Sequence, residues 1–354
     1  MSACTRGPGR YYPVAVTASN DLRWTALTVD DVPALTALLN RIDAAEEHGE
    51  PAEEPSIREW LTMPGQDLPD GSIAVREGDR LIGFGMADVT PSLDPDGQAR
   101  CNLSGGVDPA ARRRGIGTRL YEQLEQRAVA LATERHPGAP AVLRTAGGVD
   151  PTPGTAPSAP GGGADVRPLL ERRGYRRIRS WLRMVRELPG PSLPAVSTDR
   201  IRVIAPSDAH REPTREAHIA AFGDHWGSTP PTAERWAIWW SSHTARRDLS
   251  TIAVGPEGEV LSYALASEDK PGVLHFALVG TRPTARGRGL ARAVLGRSLA
   301  AAAASGYGSA ELEVDSESLT GATRLYEALG FTAEKVFATY QKMADQPART
   351  RVEA

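Results

Sequence analysis

The segment Arg286-Gly-Arg-Gly289-Leu-Ala291 combines residue types suited to holding a diphosphate. It stands where a strand-like run gives way to a helix-like one. Glycines there let the chain wrap main-chain donors around an anion, and the first turn of the helix adds unpaired amides and the positive end of its dipole. Taken alone, such a match reads more readily as a turn that starts a helix, because glycine punctuates loops generally. Here it recurs: Val107-Asp-Pro-Ala-Ala-Arg112-Arg-Arg-Gly115-Ile-Gly117 matches Thr281-Arg-Pro-Thr-Ala-Arg286-Gly-Arg-Gly289-Leu-Ala291 position for position. The repetition reverses the preference and favours two phosphate cradles. A dinucleotide-binding fingerprint is disfavoured, since the third glycine is missing and hairpin strands precede the strand; no Walker lysine follows either.

A second group of residues suits an acceptor site. Asp224-His225-Trp226 is followed by Trp236, Trp239 and Trp240. An acid, an imidazole and several indoles together fit a cationic or sugar-like molecule through charge and stacking. Helical spacing accounts equally well for Trp236 and Trp240 as core residues. Glu46, Glu47 and Glu50 read as an acidic surface turn whose charge is solvated.

The elements that must position these residues also come in two copies. Each copy opens with a strand, residues 24–27 or 201–204, that leads to Asp30 or Asp208 as a helix N-cap and then to an amphipathic helix. Hairpin strands follow, 72–76 with 80–87 and 249–254 with 260–266. Behind each cradle comes a helical run, 118–132 or 292–305, then a strand, 141–144 or 310–314. Each copy closes on a short helix ending in glycine and an aromatic: Leu169-Leu170-Glu-Arg-Arg-Gly174-Tyr175 and Leu325-Tyr326-Glu-Ala-Leu-Gly330-Phe331. This order implies an α/β architecture of the α+β kind, a mixed sheet with helices packed on it, in two tandem domains. The expected divisions are a tail at 1–20, a first domain at 21–187, a linker at 188–199, a second domain at 200–343 and a tail at 344–354. A flexible insertion is expected at 150–163, where proline, glycine and serine replace any periodic pattern.

With these motifs the chain resembles the GCN5-related N-acetyltransferases (GNAT), and among them the tandem-domain actinobacterial type related to mycothiol synthase. The resemblance rests on the two cradles and the Leu-Tyr-Glu-Ala-Leu-Gly-Phe segment, and extends from about Trp24 to Lys342. It implies acyl-coenzyme A, specifically acetyl-CoA, as co-substrate and direct transfer to the amine of a small molecule, with no metal. Cofactor contacts are then expected from Val279, Gly280 and Thr281 on the strand before the cradle, and from Arg286, Gly287, Arg288, Gly289, Leu290 and Ala291 within it. Ser318 stands where family members often have an asparagine. In the first copy, Val107, Arg112, Gly115 and Gly117 hold the matching places. Tyr326 matches the family tyrosine that protonates the departing thiolate, a task a phenol suits; its counterpart in the first copy is Leu170, which has no proton to give. The position of a catalytic glutamate in several family members falls on His275 in the second copy and Cys101 in the first. A neutral imidazole titrates in the range a general base needs, and a water chain is the alternative. Mycothiol synthase activity on a cysteinyl amino-sugar conjugate and a catalytically silent acyl-CoA-binding protein are the rival functions.

Composition agrees with this frame. At 354 residues the chain has room for two cores. A formal charge of −3 and dispersed basic residues give no global attraction to nucleic acid. Cys4 and Cys101 are too few for a disulfide framework or a cysteine-rich metal site. With no apolar leader and no run of transmembrane length, the expected address is cytoplasmic, without membrane partners, as a monomer or homodimer.

Overall fold

A computed structural model of the chain describes residues 22–46, 49–150, 166–190, 200–223, 226–316 and 321–344. The first copy runs β1 (Leu22–Thr25), α1 (Val32–Glu46), α2 (Glu54–Leu61), α3 (Leu68–Gly71), β2 (Ser72–Glu77), β3 (Arg80–Val89), β4 (Ala99–Val107), α4 (Ile116–Arg135), β5 (Ala141–Asp150), α5 (Arg167–Arg172) and β6 (Arg176–Glu187). The second runs β7 (Arg202–Ile204), α6 (Arg211–Phe222), α7 (Ala233–Ser241), β8 (Thr251–Val254), β9 (Val260–Lys270), β10 (Val273–Thr281), α8 (Leu290–Ala304), β11 (Ser309–Asp315), α9 (Ala322–Ala328) and β12 (Thr332–Met343).

The twelve strands of the described residues join one sheet in the order β1-β2-β3-β4-β5-β12-β6-β11-β10-β9-β8-β7. Pairing is parallel at β4–β5 and β10–β11, and antiparallel elsewhere. A parallel pair needs a crossover, and α4 and α8 supply it. The centre of the sheet holds the feature that the repeat did not foretell. The last strand of each copy completes the sheet of the other: β12 pairs with β5, β6 pairs with β11, and the two lie against each other.

Apolar spacing explains how the helices seat. In α4 the buried residues Ile116, Leu120, Leu124 and Ala128 recur every fourth position, forming a stripe that packs on β3 and β4. The approach is close, since a Cβ at Gly85 would stand 2.6 Å from Leu124 Cδ1. In α8 the same stripe is Leu290, Val294, Leu295 and Leu299 against β8 and β9. The helix starts differ from expectation. Short 3-10 turns precede α1 and α6, so the N-caps are Thr28 and Ser207, with Asp30 and Asp208 inside the turns. Thr28 is fixed by a reciprocal bond in which its amide donates to Asp31 Oδ2 at 2.9 Å. The expected insertion beyond Asp150 and most of the expected linker lie outside the described residues.

Candidate active site

The strand before the second cradle separates from its neighbour. β10 pairs with β11 at Val273, Leu274 and His275, and the ladder then ends although β10 continues to Thr281. A bulge between Phe276 and Leu278 in the pairing with β9 accompanies the parting. The β11-facing main-chain groups from Phe276 to Thr281 are therefore left without a strand partner and edge a cleft of about 1650 Å³. Val279, Gly280 and Thr281 line it, followed by Arg286, Gly287, Gly289, Leu290 and Ala291. Gly287 and Gly289 both adopt φ 76°, in the left-handed region, and Gly289 caps α8. The first bond of the helix is Ala293 N to Gly289 O, so the preceding amides have no intrahelical acceptor. A Cβ at Gly287 would meet nothing within 4 Å, so its torsion rather than crowding calls for glycine. Arg288 is exposed and is not among the lining residues.

Gly280 is needed for space. A Cβ there would lie 2.3 Å from Tyr263 Oη, which is hydrogen-bonded to His218 Nδ1 at 2.7 Å. His218 is packed between Phe222, at 4.5 Å between ring centres, and Trp236, at 5.3 Å. Tyr326, on α9, is buried at 7% exposure, lines the cleft, and meets Phe331 edge-on. Burial pushes its phenol up to about 12, so the proton stays on oxygen at neutral pH.

His275 is placed elsewhere. It does not line the cleft; its Nδ1 stands 3.5 Å from Glu311 on the neighbouring strand. Burial raises the Glu311 carboxyl, but His275, Lys270 and Arg183 outweigh it and hold the group at about 2. The carboxylates that do line the cleft from β11 are Glu313 and Asp315, the latter 3.8 Å from Arg179. Glu50 is exposed, as expected, and also pairs with Arg183 and lies 3.4 Å from Lys270, linking the first copy to the second. The turn after α1 is thus part of the join between copies.

The first cradle has the same backbone but a different content. Gly115 caps α4 at φ 80°, and Arg113, at the place of Gly287, is forced to φ 63° without being glycine. Arg112 is ion-paired with Glu46 at the end of α1, and its Nε donates to Val107 O at 3.2 Å. Glu46 is thereby a half-buried ion-pair partner, because α1 runs far enough to reach the cradle. Ile42 of the same helix would stand 2.6 Å from a Cβ at Gly106, so α1 also covers the strand end. β4 stays paired with β5 through Leu103, two places beyond the point where the second copy parts. Leu170 is fully buried. None of Val107, Arg112, Gly115 and Gly117 lines the cleft.

The first copy contributes to the cleft through its opposite end. Asp88, Arg100, Asn102, Arg144 and Arg179 line the same cleft, and the sequence reading singled out none of them. Each looks like an ordinary strand residue until the exchanged strands bring the copies together. Of the predicted acceptor residues, Trp226 lines the cleft, with the guanidinium groups of Arg144 and Arg179 over its ring at 4.2 and 5.0 Å. Its indole is therefore engaged by the chain's own cations rather than offered to a cationic acceptor. Asp224, His225 and Ser318 lie outside the described residues. Trp236 and Trp240 are core at 1% and 4% exposure, while Trp239 is exposed and lines the cleft.

No helix among the described residues is long and apolar enough to cross a membrane. The family model described as "Acetyltransferase (GNAT) family" matches residues 34–136 and again 211–331. A mycothiol acetyltransferase of Mycolicibacterium paratuberculosis is 30% identical over 284 residues, which span 76% of this chain and 81% of the relative. Among solved structures, a GCN5-related N-acetyltransferase from Sphaerobacter thermophilus superposes with TM-score 0.66 at 25% identity, covering 91% of this chain and 96% of that one. A tandem GNAT protein from the clavulanic acid biosynthesis pathway superposes with TM-score 0.64 at 18% identity, over 92% of this chain and 100% of that one. Two matches of one family model, a cradle at the head of each crossover helix and a parted strand pair lead to one conclusion: this chain is a tandem member of the acetyltransferase (GNAT) family, an acyltransferase that uses acyl-CoA.

Proposed function

We propose that the chain transfers an acetyl group from acetyl-CoA to the primary amine of a small molecule, with the second copy as the reacting unit. The observation that carries this reading is the grouping of the parted strand, the cradle and Tyr326 around one cleft. The fit to acyl-CoA is structural: left-handed glycines and unpaired helix amides suit a diphosphate, and a strand end without a ladder partner suits an amide-bearing arm. Acyl-CoA supplies an activated thioester. Arg286 to Ala291 hold its diphosphate, and the main chain of Val279 to Thr281 aligns the arm and polarises the acyl carbonyl. Tyr326, protonated at working pH, gives its proton to the departing sulfur. Asp315 and Glu313 face the cleft from β11 and take the ammonium proton of the acceptor, directly or through water, in place of His275.

Similarity to mycothiol acetyltransferases favours, as a second reading, the cysteinyl amino-sugar acceptor. The deciding experiment measures thiol release from acetyl-CoA against aminoglycosides, amino acids, amino sugars, polyamines and the mycothiol precursor. Turnover that collapses in Tyr326→Phe while acetyl-CoA still binds supports the reading. Binding without thiol release from any amine replaces it with an acyl-CoA-binding role.

A further inference from the structure

The cleft wall supplied by the first copy holds two arginine side chains together. Arg100 on β4 and Arg144 on β5 occupy adjacent parallel strands, where Arg144 sits opposite Asn102 and Arg100 opposite Val142, putting both arginines on one face. Their tips converge: a Cβ at Gly227 would stand 2.6 Å from Arg144 Nη1 and 3.3 Å from Arg100 Nη1. Two like charges side by side in a partly dry place oppose each other. Burial, first of all, lowers both groups, and Arg100 adds to the effect on Arg144, which falls to about 10.

The nearby carboxylates are largely committed. Asp88 is paired with Arg235 at 3.1 Å. Asp94 accepts from the amides of Asp96 and Gln98 through Oδ1, at 3.1 and 2.9 Å, and its Oδ2 makes a longer ion pair with Arg144 at 3.7 Å. Asp96 is exposed to water. Arg144 Nε donates to Gln341 at 2.8 Å, and Arg100 Nη2 to Thr229 at 3.3 Å. Arg100 Nε is sealed from solvent and has no partner. Forked donors held this way match a planar or tetrahedral anion.

We infer that the acceptor carries an anionic group, a carboxylate or a phosphate, that docks on Arg100 and Arg144, so that the first copy selects the acceptor on which the second acts. The inference rests on the acyl-transfer reading above and narrows its substrate to amines that also bear an acid.

The test uses the full chain. With the cradle saturated by CoA, sodium phosphate and sodium acetate are titrated separately by calorimetry, which tells the two anion types apart. Wild type binds at least one of them saturably; Arg100→Gln and Arg144→Gln weaken that binding tenfold or more, Arg144→Lys keeps most of it, and CoA affinity stays constant throughout. In turnover, glucosamine 6-phosphate is compared with glucosamine, and L-alanine with L-alaninamide. The anionic member of a pair is preferred at least tenfold in kcat/KM, and the glutamine variants erase the preference through KM. Absence of anion binding in the CoA-bound wild type, equal binding by the glutamine variants, or a neutral member used as well as its anionic partner overturns the inference. Anion binding that follows this pattern, with no thiol released from any amine, leaves the arginine site standing and removes the acyltransfer reading instead.

Discussion

The two copies share a backbone and differ in what fills it. In the second, β10 parts from β11 after His275, and Tyr326 looks into the opening. In the first, the ladder runs on to Leu103, Arg112 is held by Glu46, and Leu170 is buried where the phenol would be. The contrast extends to the sheet: His275 and Glu311 in one copy correspond in register to Cys101 and Leu143 in the other. A histidine–carboxylate contact stands beside the cleft, and apolar packing takes its place in the other copy. On the proposed reading, a cradle motif alone does not define a cofactor site. What decides is whether the strand beside it opens and whether a neighbouring helix leaves the space clear.

Substitutions at matched positions sharpen the comparison. The largest effect is expected at the acid. Tyr326→Phe lowers kcat by about 100-fold or more in steady-state assays with acetyl-CoA, leaving its Kd unchanged. Arginine truncation separates the cradles next: Arg286→Met raises the acyl-CoA Kd about tenfold by calorimetry, whereas Arg112→Met leaves that Kd alone and costs about 1–3 kcal/mol in urea unfolding, because it strands the Glu46 carboxylate.

Acid sensitivity is also predicted to lie with the second copy. Glu311 is held at about 2, below its ordinary 4.5, so its stabilisation is full above that ordinary value and fades as pH falls from there through about 2. Glu311→Gln should flatten the stability-against-pH curve in that window, measured by urea midpoints, while Leu143→Ala lowers the curve without changing its shape. The smallest effect is Leu170→Tyr, which adds no thiol release above wild type because the first strand pair stays closed.

Local signals were legible in the sequence. The repeated Arg-x-x-Gly motif fixed both strand-to-helix junctions, and four-residue spacing placed α4 and α8. The partnering of β6 and β12 was not legible, since both strands carry the same kind of pattern and the choice between neighbours is made by contacts more than a hundred residues apart. His275 was counted back to the right strand, but register alone does not say which residues a parted and bulged strand turns toward the cleft. Glu46 looked like a solvated charge because nothing local reveals that a helix will end beside an arginine 66 positions away. Arg100 and Arg144 gave no signal, as an arginine on a strand is unremarked until the opposite wall of a cleft is known.

The reciprocal placement of the last strands has a consequence for how the molecule ends at its margins. Among the described residues the outer strands of the sheet are β1 and β7, four and three residues long, which offer little template for unwanted pairing with another chain. Either half produced alone must fold its own last strand back onto itself, or present the ten-residue β5 or the seven-residue β11 as a bare border. Neither half is thus a spare part: the last strand of each copy covers a border of the other that would otherwise stand bare.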